Sequence, residues 1–117
     1  YVDPHYGNDD TGQTFRRDLP FMTVGSASEA ILANGGLVYI KAGKYSEMCV
    51  LTDGLKYYCE PGVIFETGGF TDFNQTVNCD IYGHAKFIGD SILLKPFTVN
   101  NQSNINFEFD EIKTRIL

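Results

Sequence analysis

Leu55-Lys56-Tyr57-Tyr58-Cys59-Glu60-Pro61-Gly62-Val63-Ile64-Phe65 decides the fold, because two later stretches can be laid over it. Leu55, Val77 and Phe97 fall in one column, Tyr57, Cys79 and Val99 in the next, and Cys59, Ile81 and Asn101 in a third. A turn follows each: Glu60-Pro61-Gly62, Tyr82-Gly83-His84 and Gln102-Ser103-Asn104. Val63, Ala85 and Ile105 come next, then Phe65, Phe87 and Phe107. The mostly apolar columns alternate with Lys56, Tyr58, Glu60, Asn78, Asp80, Asn106, Glu108 and Asp110. Period-two alternation inside a repeat of about twenty residues predicts an all-β chain of short strands stacked as coils of a solenoid. No coil buries its inner face alone, so stacking makes the core.

Working outward, composition fits one domain. The chain has 117 residues, 43% of them apolar, with seven Tyr, nine Phe, twelve Gly and four Pro, as expected of a turn-rich β protein. No run approaches the eighteen or so apolar residues of a membrane span, so membrane insertion is not expected. The formal charge is −6 and no basic cluster exceeds Arg16-Arg17, which argues against a nucleic-acid partner. It also disfavours a strongly anionic polysaccharide unless cations bridge the two. The chain opens on Tyr1 rather than Met and carries no signal peptide, which reads as processing or as a piece of a longer chain.

Upstream of the repeat, Tyr1-Val2-Asp3-Pro4 reads as a short strand ended by proline, and Gly7-Asn8-Asp9-Asp10-Thr11-Gly12 as turns. Ser26-Ala27-Ser28-Glu29 has the form of a capping box, opening a helix over about 26–34 that Asn34-Gly35-Gly36 ends. That helix is expected over the open end of the stack, where a terminal element hides the core from water. Residues 1–36 are thus expected to form a cap, and 37–117 about four coils. The connection from Thr67 to Gln75, with Gly68-Gly69, Phe70 and Phe73, is expected to project as a loop.

The opening residues, Pro20-Phe21-Met22-Thr23-Val24, the helix with Ala27, Ala30 and Ile31, and Gly36-Leu37-Val38-Tyr39-Ile40-Lys41-Ala42-Gly43-Lys44-Tyr45-Ser46-Glu47 resemble the N-terminal cap and first coil of the pectate-lyase-like superfamily. The resemblance implies a right-handed, single-stranded parallel β-helix with a capping α-helix. It covers about the first fifty residues closely. The superfamily holds polysaccharide lyases and hydrolases, epimerases, tailspikes, viral surface proteins and adhesins. Its enzymes place acids and bases on middle coils; here Asp72 and Arg115 match no such arrangement, and the lone Asp pair, Asp9-Asp10, lies in the cap.

Candidate sites follow. Tyr58 and Tyr82 point outward on successive coils with Asp80 beside them, a surface for stacking on sugar rings or for packing against a neighbour. Asp3, Asp9 and Asp10, with Asn8, offer oxygen ligands to Ca2+, or else Asx turns that satisfy their own backbone. Cys49, Cys59 and Cys79 lack a metal-ligand spacing and read as buried small hydrophobes, with a Cys59–Cys79 disulfide as the alternative. Glu108, Asp110 and Glu111 read as a solvated acidic face, and His5 and His84 as surface histidines. Asn74-Gln75-Thr76 and Asn101-Gln102-Ser103 match the glycosylation pattern and read as accidental.

The functional expectation is non-catalytic: a structural or glycan-contacting protein of a virion or cell surface, of tailspike, fibre or capsid-associated type, outside the cell and associating with copies of itself or neighbouring subunits. The alternative is the N-terminal part of a secreted polysaccharide lyase or glycoside hydrolase whose catalytic coils lie elsewhere.

Overall fold

The fold comes from a computed structural model, which describes residues 1–31, 36–66, 70–71, 77–87, 97–98 and 104–109. Among the described residues the regular structure is mostly strand, with one short helix. Helix α1 spans Val24–Ile31. The strands are β1 Gly36–Ile40, β2 Gly43–Tyr45, β3 Cys49–Val50, β4 Leu55–Cys59, β5 Val63–Phe65, β6 Phe70–Thr71, β7 Asn78–Gly83, β8 Lys86–Phe87, β9 Phe97–Thr98 and β10 Asn104–Phe109. They pair in parallel in three small sheets of order β1-β4-β7-β10, β2-β5-β8 and β3-β6-β9. Each strand therefore finds its partner three strands further along the chain. No helix among the described residues is long and apolar enough to cross a membrane.

The alternation read from the sequence decides which side chains go inside. In β4 Leu55, Tyr57 and Cys59 are buried, Lys56 is exposed and Tyr58 is half-buried. Val38, Ile40, Val63, Phe65 and Ile81 are fully or nearly fully buried with them. Each such side chain contributes roughly 1.5–3 kcal/mol relative to exposure. In the second sheet Tyr45 stands opposite Phe65, and Phe65 opposite Phe87. The Phe65 ring also meets Phe70 edge-on at 5.1 Å.

The column alignment needs correction. Tyr57 pairs with Ile81, not Cys79, and Ile105 pairs with Cys79 rather than lying over Ala85. Phe107 faces Ile81 in the first sheet, and Phe97 faces Phe70 in the third. The pairs Gly36–Leu55, Lys56–Asp80 and Asn78–Asn104 are 19, 24 and 26 residues apart, so the repeat is not a fixed twenty. A slip of two residues keeps every side chain on its own face, so alternation alone does not expose it. Cys59 is consequently opposite Gly83, four positions from Cys79, or about 13 Å along the strand. That is beyond disulfide reach, and all three cysteines are buried free thiols. Phe70 and Thr71 form β6 rather than a projecting loop, and Phe70 is fully buried. Two residues are too few to show an alternation. Phe73, the patterns at Asn74 and Asn101, Asp72, Asp110, Glu111 and Arg115 lie outside the described residues, as does the expected end of the helix.

The helix begins at Val24, two residues before the expected start. Thr23 is its N-cap: the Thr23 hydroxyl accepts from the Ser26 amide at 3.3 Å. Glu47 reaches in from before β3, accepting from the Val24 amide at 2.7 Å and the Gly25 amide at 3.3 Å. Asp9 accepts from the Met22 and Thr23 amides and from the Thr23 hydroxyl. Two carboxylates from distant segments thus fill the capping role expected of Ser26 and Glu29, and both suit the positive end of a helix. The helix lies against β1 and β3, the first strands of two sheets. The buried Ser28 hydroxyl donates to the Val24 carbonyl, so Tyr57 donates its own proton to Ser28 while accepting from the Thr52 amide.

Candidate functional site

The first sheet carries the candidate site on its outer face. Its register places Tyr39, Tyr58 and Tyr82 opposite one another on β1, β4 and β7, with Glu108 next on β10. Val2 bridges to Ile40 in parallel, which brings Tyr1 beside Tyr39. The four rings form a ladder: centroids lie 5.6 Å apart for Tyr1–Tyr39 and 5.2 Å for both Tyr39–Tyr58 and Tyr58–Tyr82. The steps follow the parallel-strand spacing of about 4.8 Å. Successive rings are tilted by 47°, 47° and 52°. Tyr1, Tyr39 and Tyr58 are half-buried, and Tyr82 is 37% exposed.

Polar rows flank the ladder. On one side the register aligns Leu37, Lys56, Asp80 and Asn106. On the other stand Lys41, Glu60 and His84, where the Glu60 amide bonds the Ile40 carbonyl and the His84 amide the Cys59 carbonyl. Glu60 is an anchor: one carboxylate oxygen accepts from the Tyr39 hydroxyl at 3.1 Å and the other from the Ala42 amide at 2.7 Å. Burial and this carboxylate raise the Tyr39 hydroxyl above the usual tyrosine range. His84 meets the Tyr58 ring edge-on at 6.4 Å.

Sequence reasoning found Tyr58, Tyr82 and Asp80, and the structure brings all three to one face. It missed Tyr1 and Tyr39, because both lie upstream of the three overlaid stretches, which begin at Leu55. Placing Gly36 to Ile40 under Leu55 to Cys59 would have found Tyr39. His84, read as a surface histidine, lies on this face too.

At its N-terminal end the ladder borders a cleft of about 290 Å³. Beside Tyr1 and Tyr39 it is lined mainly by apolar side chains, among them Phe15, Phe21, Ala27 and Ile31.

Two of the candidate cation ligands, Asp3 and Asp9, accept hydrogen bonds from backbone amides. One oxygen of Asp3 accepts from the amides of His5 and Tyr6, and the other lies 3.7 Å from the Lys41 ammonium. Burial pulls the Asp3 carboxyl up, but those bonds and that charge outweigh it and leave it below the usual range. Asp9 is likewise lowered: burial opposes it, and the bonds from Thr23 and Met22 prevail. Asn8 accepts from the amides of Asp10 and Thr11, an Asx turn. Among the described residues no three His, Cys, Asp or Glu side chains converge as a metal-binding group. The thiols are not poised as nucleophiles: burial holds Cys49 well above the usual thiol range and pushes Cys59 and Cys79 up to about 12.

No family model, curated protein or solved structure matches the chain.

Proposed function

We infer that the chain is a non-catalytic module of a virion or cell surface, built as a right-handed parallel β-helix, that holds a glycan along its tyrosine face. The reading of the architecture is supported by strands that visit three sheets in constant rotation, and right-handedness by the strong preference of parallel crossovers. It agrees with the resemblance of the cap to the pectate-lyase-like superfamily. The tyrosine ladder is the observation that carries the function. Three phenol rings in strict register, with a fourth at the end, give a line of apolar flanks and hydroxyl tips. Sugars offer the matching pair, apolar C–H faces and hydroxyl rims. Charged side chains on both sides supply hydrogen bonds to the same ligand. The acidic chain favours a neutral or sparsely charged polysaccharide.

Self-association belongs to the same reading. Exposed strand edges template pairing with another chain, which supports it.

Affinity electrophoresis through gels of neutral and of anionic polysaccharides tests the glycan reading. Retardation by a neutral polymer is expected, and Tyr58→Ala or Tyr82→Ala should weaken it about tenfold, equivalent to roughly 1.4 kcal/mol. Equal migration of wild type and both variants in every gel would overturn it.

A further inference from the structure

The tyrosine row is continuous as well as flat. Ring centroids are 5.2 Å apart at Tyr82–Tyr58 and again at Tyr58–Tyr39, and Tyr1 extends the contact at 5.6 Å. Phenols give up single electrons more readily than most side chains, and the chain has no tryptophan to compete with them. An electron hole on one ring passes to the next when the two rings touch.

The rings of the row differ in where a proton can go. Loss of an electron turns a phenol into a strong acid, so the hole settles where the proton meets the best base. Tyr82 is 37% exposed, and water is a poor base. The Tyr39 hydroxyl already donates to the Glu60 carboxylate at 3.1 Å. The Ala42 amide holds the other oxygen of that carboxylate at 2.7 Å, which fixes the acceptor in place. The buried tyrosines outside the row donate elsewhere: Tyr45 to the Lys41 carbonyl and Tyr57 to the Ser28 hydroxyl. Both of those oxygens are far weaker bases than a carboxylate. Tyr39 is also half-buried with a ring on either side, so radicals on two separate molecules meet poorly there.

We propose that the row is a one-electron relay, which drains oxidising equivalents from Tyr82 through Tyr58 to Tyr39 and holds them there as a neutral tyrosyl radical. The oxidant is an oxygen-centred radical of the peroxyl class. It takes one electron from the Tyr82 ring and leaves as a peroxide anion, which water protonates. Tyr58 refills Tyr82 and Tyr39 refills Tyr58, one electron each. As Tyr39 gives up its electron, its hydroxyl proton moves to Glu60. The row then holds one neutral radical beside one neutral carboxylic acid, and no bond between heavy atoms has formed or broken. The relay requires ring contacts and a proton acceptor, and no glycan.

The test uses the whole chain carrying Tyr6→Phe, which removes an 86% exposed tyrosine outside the row. A flash on tris(bipyridyl)ruthenium(II), with a cobalt(III) ammine as electron acceptor, makes a ruthenium(III) oxidant, and transient absorption follows the tyrosyl radical. Tyr39→Phe and Glu60→Gln are each expected to shorten its lifetime about tenfold. Glu60→Gln keeps an oxygen for Tyr39 and Ala42 but is no base. Radical formation should slow about twofold in heavy water in the parent and not in Glu60→Gln, a difference that a merely structural role would not produce. Tyr58→Phe keeps a ring in place and interrupts the relay. Under a steady flux of peroxyl radicals from an azo initiator, it should raise oxidation of Tyr82, mapped by mass spectrometry, about threefold. Unchanged lifetimes in Tyr39→Phe and Glu60→Gln would overturn Tyr39 as the terminus, and with it the proposal. Equal oxidation of Tyr82 with and without Tyr58→Phe would overturn the relay.

Discussion

At the scale of single residues, the N-terminal segment is held by carboxylates that the sequence offered as cation ligands. Asp9 accepts three hydrogen bonds around the start of α1, whereas Asn8, not Asp10, makes the neighbouring turn. Asp9→Ala is expected to cost about 1–2 kcal/mol and Asp10→Ala close to nothing, with the melting temperature of the wild type unmoved by EDTA. Thermal melts of the three proteins with and without chelator check this, and a large chelator-dependent shift would return Asp9 to the role of ligand. Acid should act through the same group. The Asp9 and Asp3 carboxyls are lowered in the folded state, so their contribution is present above the ordinary carboxylate value and is lost as pH falls through the folded one. Glu47 opposes them: burial raises its carboxyl, so protonation relieves a cost in the fold. Alkali gives the larger expected effect. Cys59 and Cys79 are raised to about 12, and burial also raises Cys49, Tyr45 and Tyr57. These groups stay protonated in the fold while the unfolded chain ionises, so stability should be complete below pH 9 and fall steadily between pH 9 and 12. Denaturant midpoints at neutral and alkaline pH measure it, and an unchanged midpoint would mean that the thiols are not buried.

At the scale of elements, the legible part was whatever depends on the face of a strand. Inward Leu55, Tyr57 and Cys59 and outward Tyr58 and Tyr82 followed from alternation. Register did not, because a two-residue slip is silent in that pattern. The real marker of register is Gly83, which lies opposite Cys59 with φ of +121°. A Cβ there would stand 2.2 Å from the Cys59 carbonyl oxygen, so Gly83→Ala should destabilise by more than about 1 kcal/mol. The alignment by columns put Gly83 in a turn rather than opposite Cys59. Urea unfolding measures the loss, and a wild-type midpoint would contradict the close approach. Phe65→Ala belongs to the same level: the side chain is fully buried between Tyr45 and Phe70, and its loss should cost about 3–5 kcal/mol. The helix start was misread for a different reason. Its decisive acceptor, Glu47, lies 22 residues beyond Gly25, and no local pattern announces a cap supplied from that distance.

At the scale of the whole molecule, three sheets rather than one supply the outer faces, and the face that gathers the tyrosines differs from the other two. Sequence order hides it, since Tyr1, Tyr39, Tyr58 and Tyr82 lie at uneven intervals and meet only after the chain has turned through all three sheets. The chain is expected to assemble through its strand edges, and light scattering should return a multiple of 13.1 kDa. A monomer at all concentrations would remove self-association from the functional reading. The ladder has an optical side as well. The chain contains no tryptophan, so tyrosine is its fluorophore. Rings in van der Waals contact exchange excitation far faster than they emit. Light absorbed by Tyr1 can therefore leave from Tyr82, and a quencher that touches one end of the row darkens the whole of it.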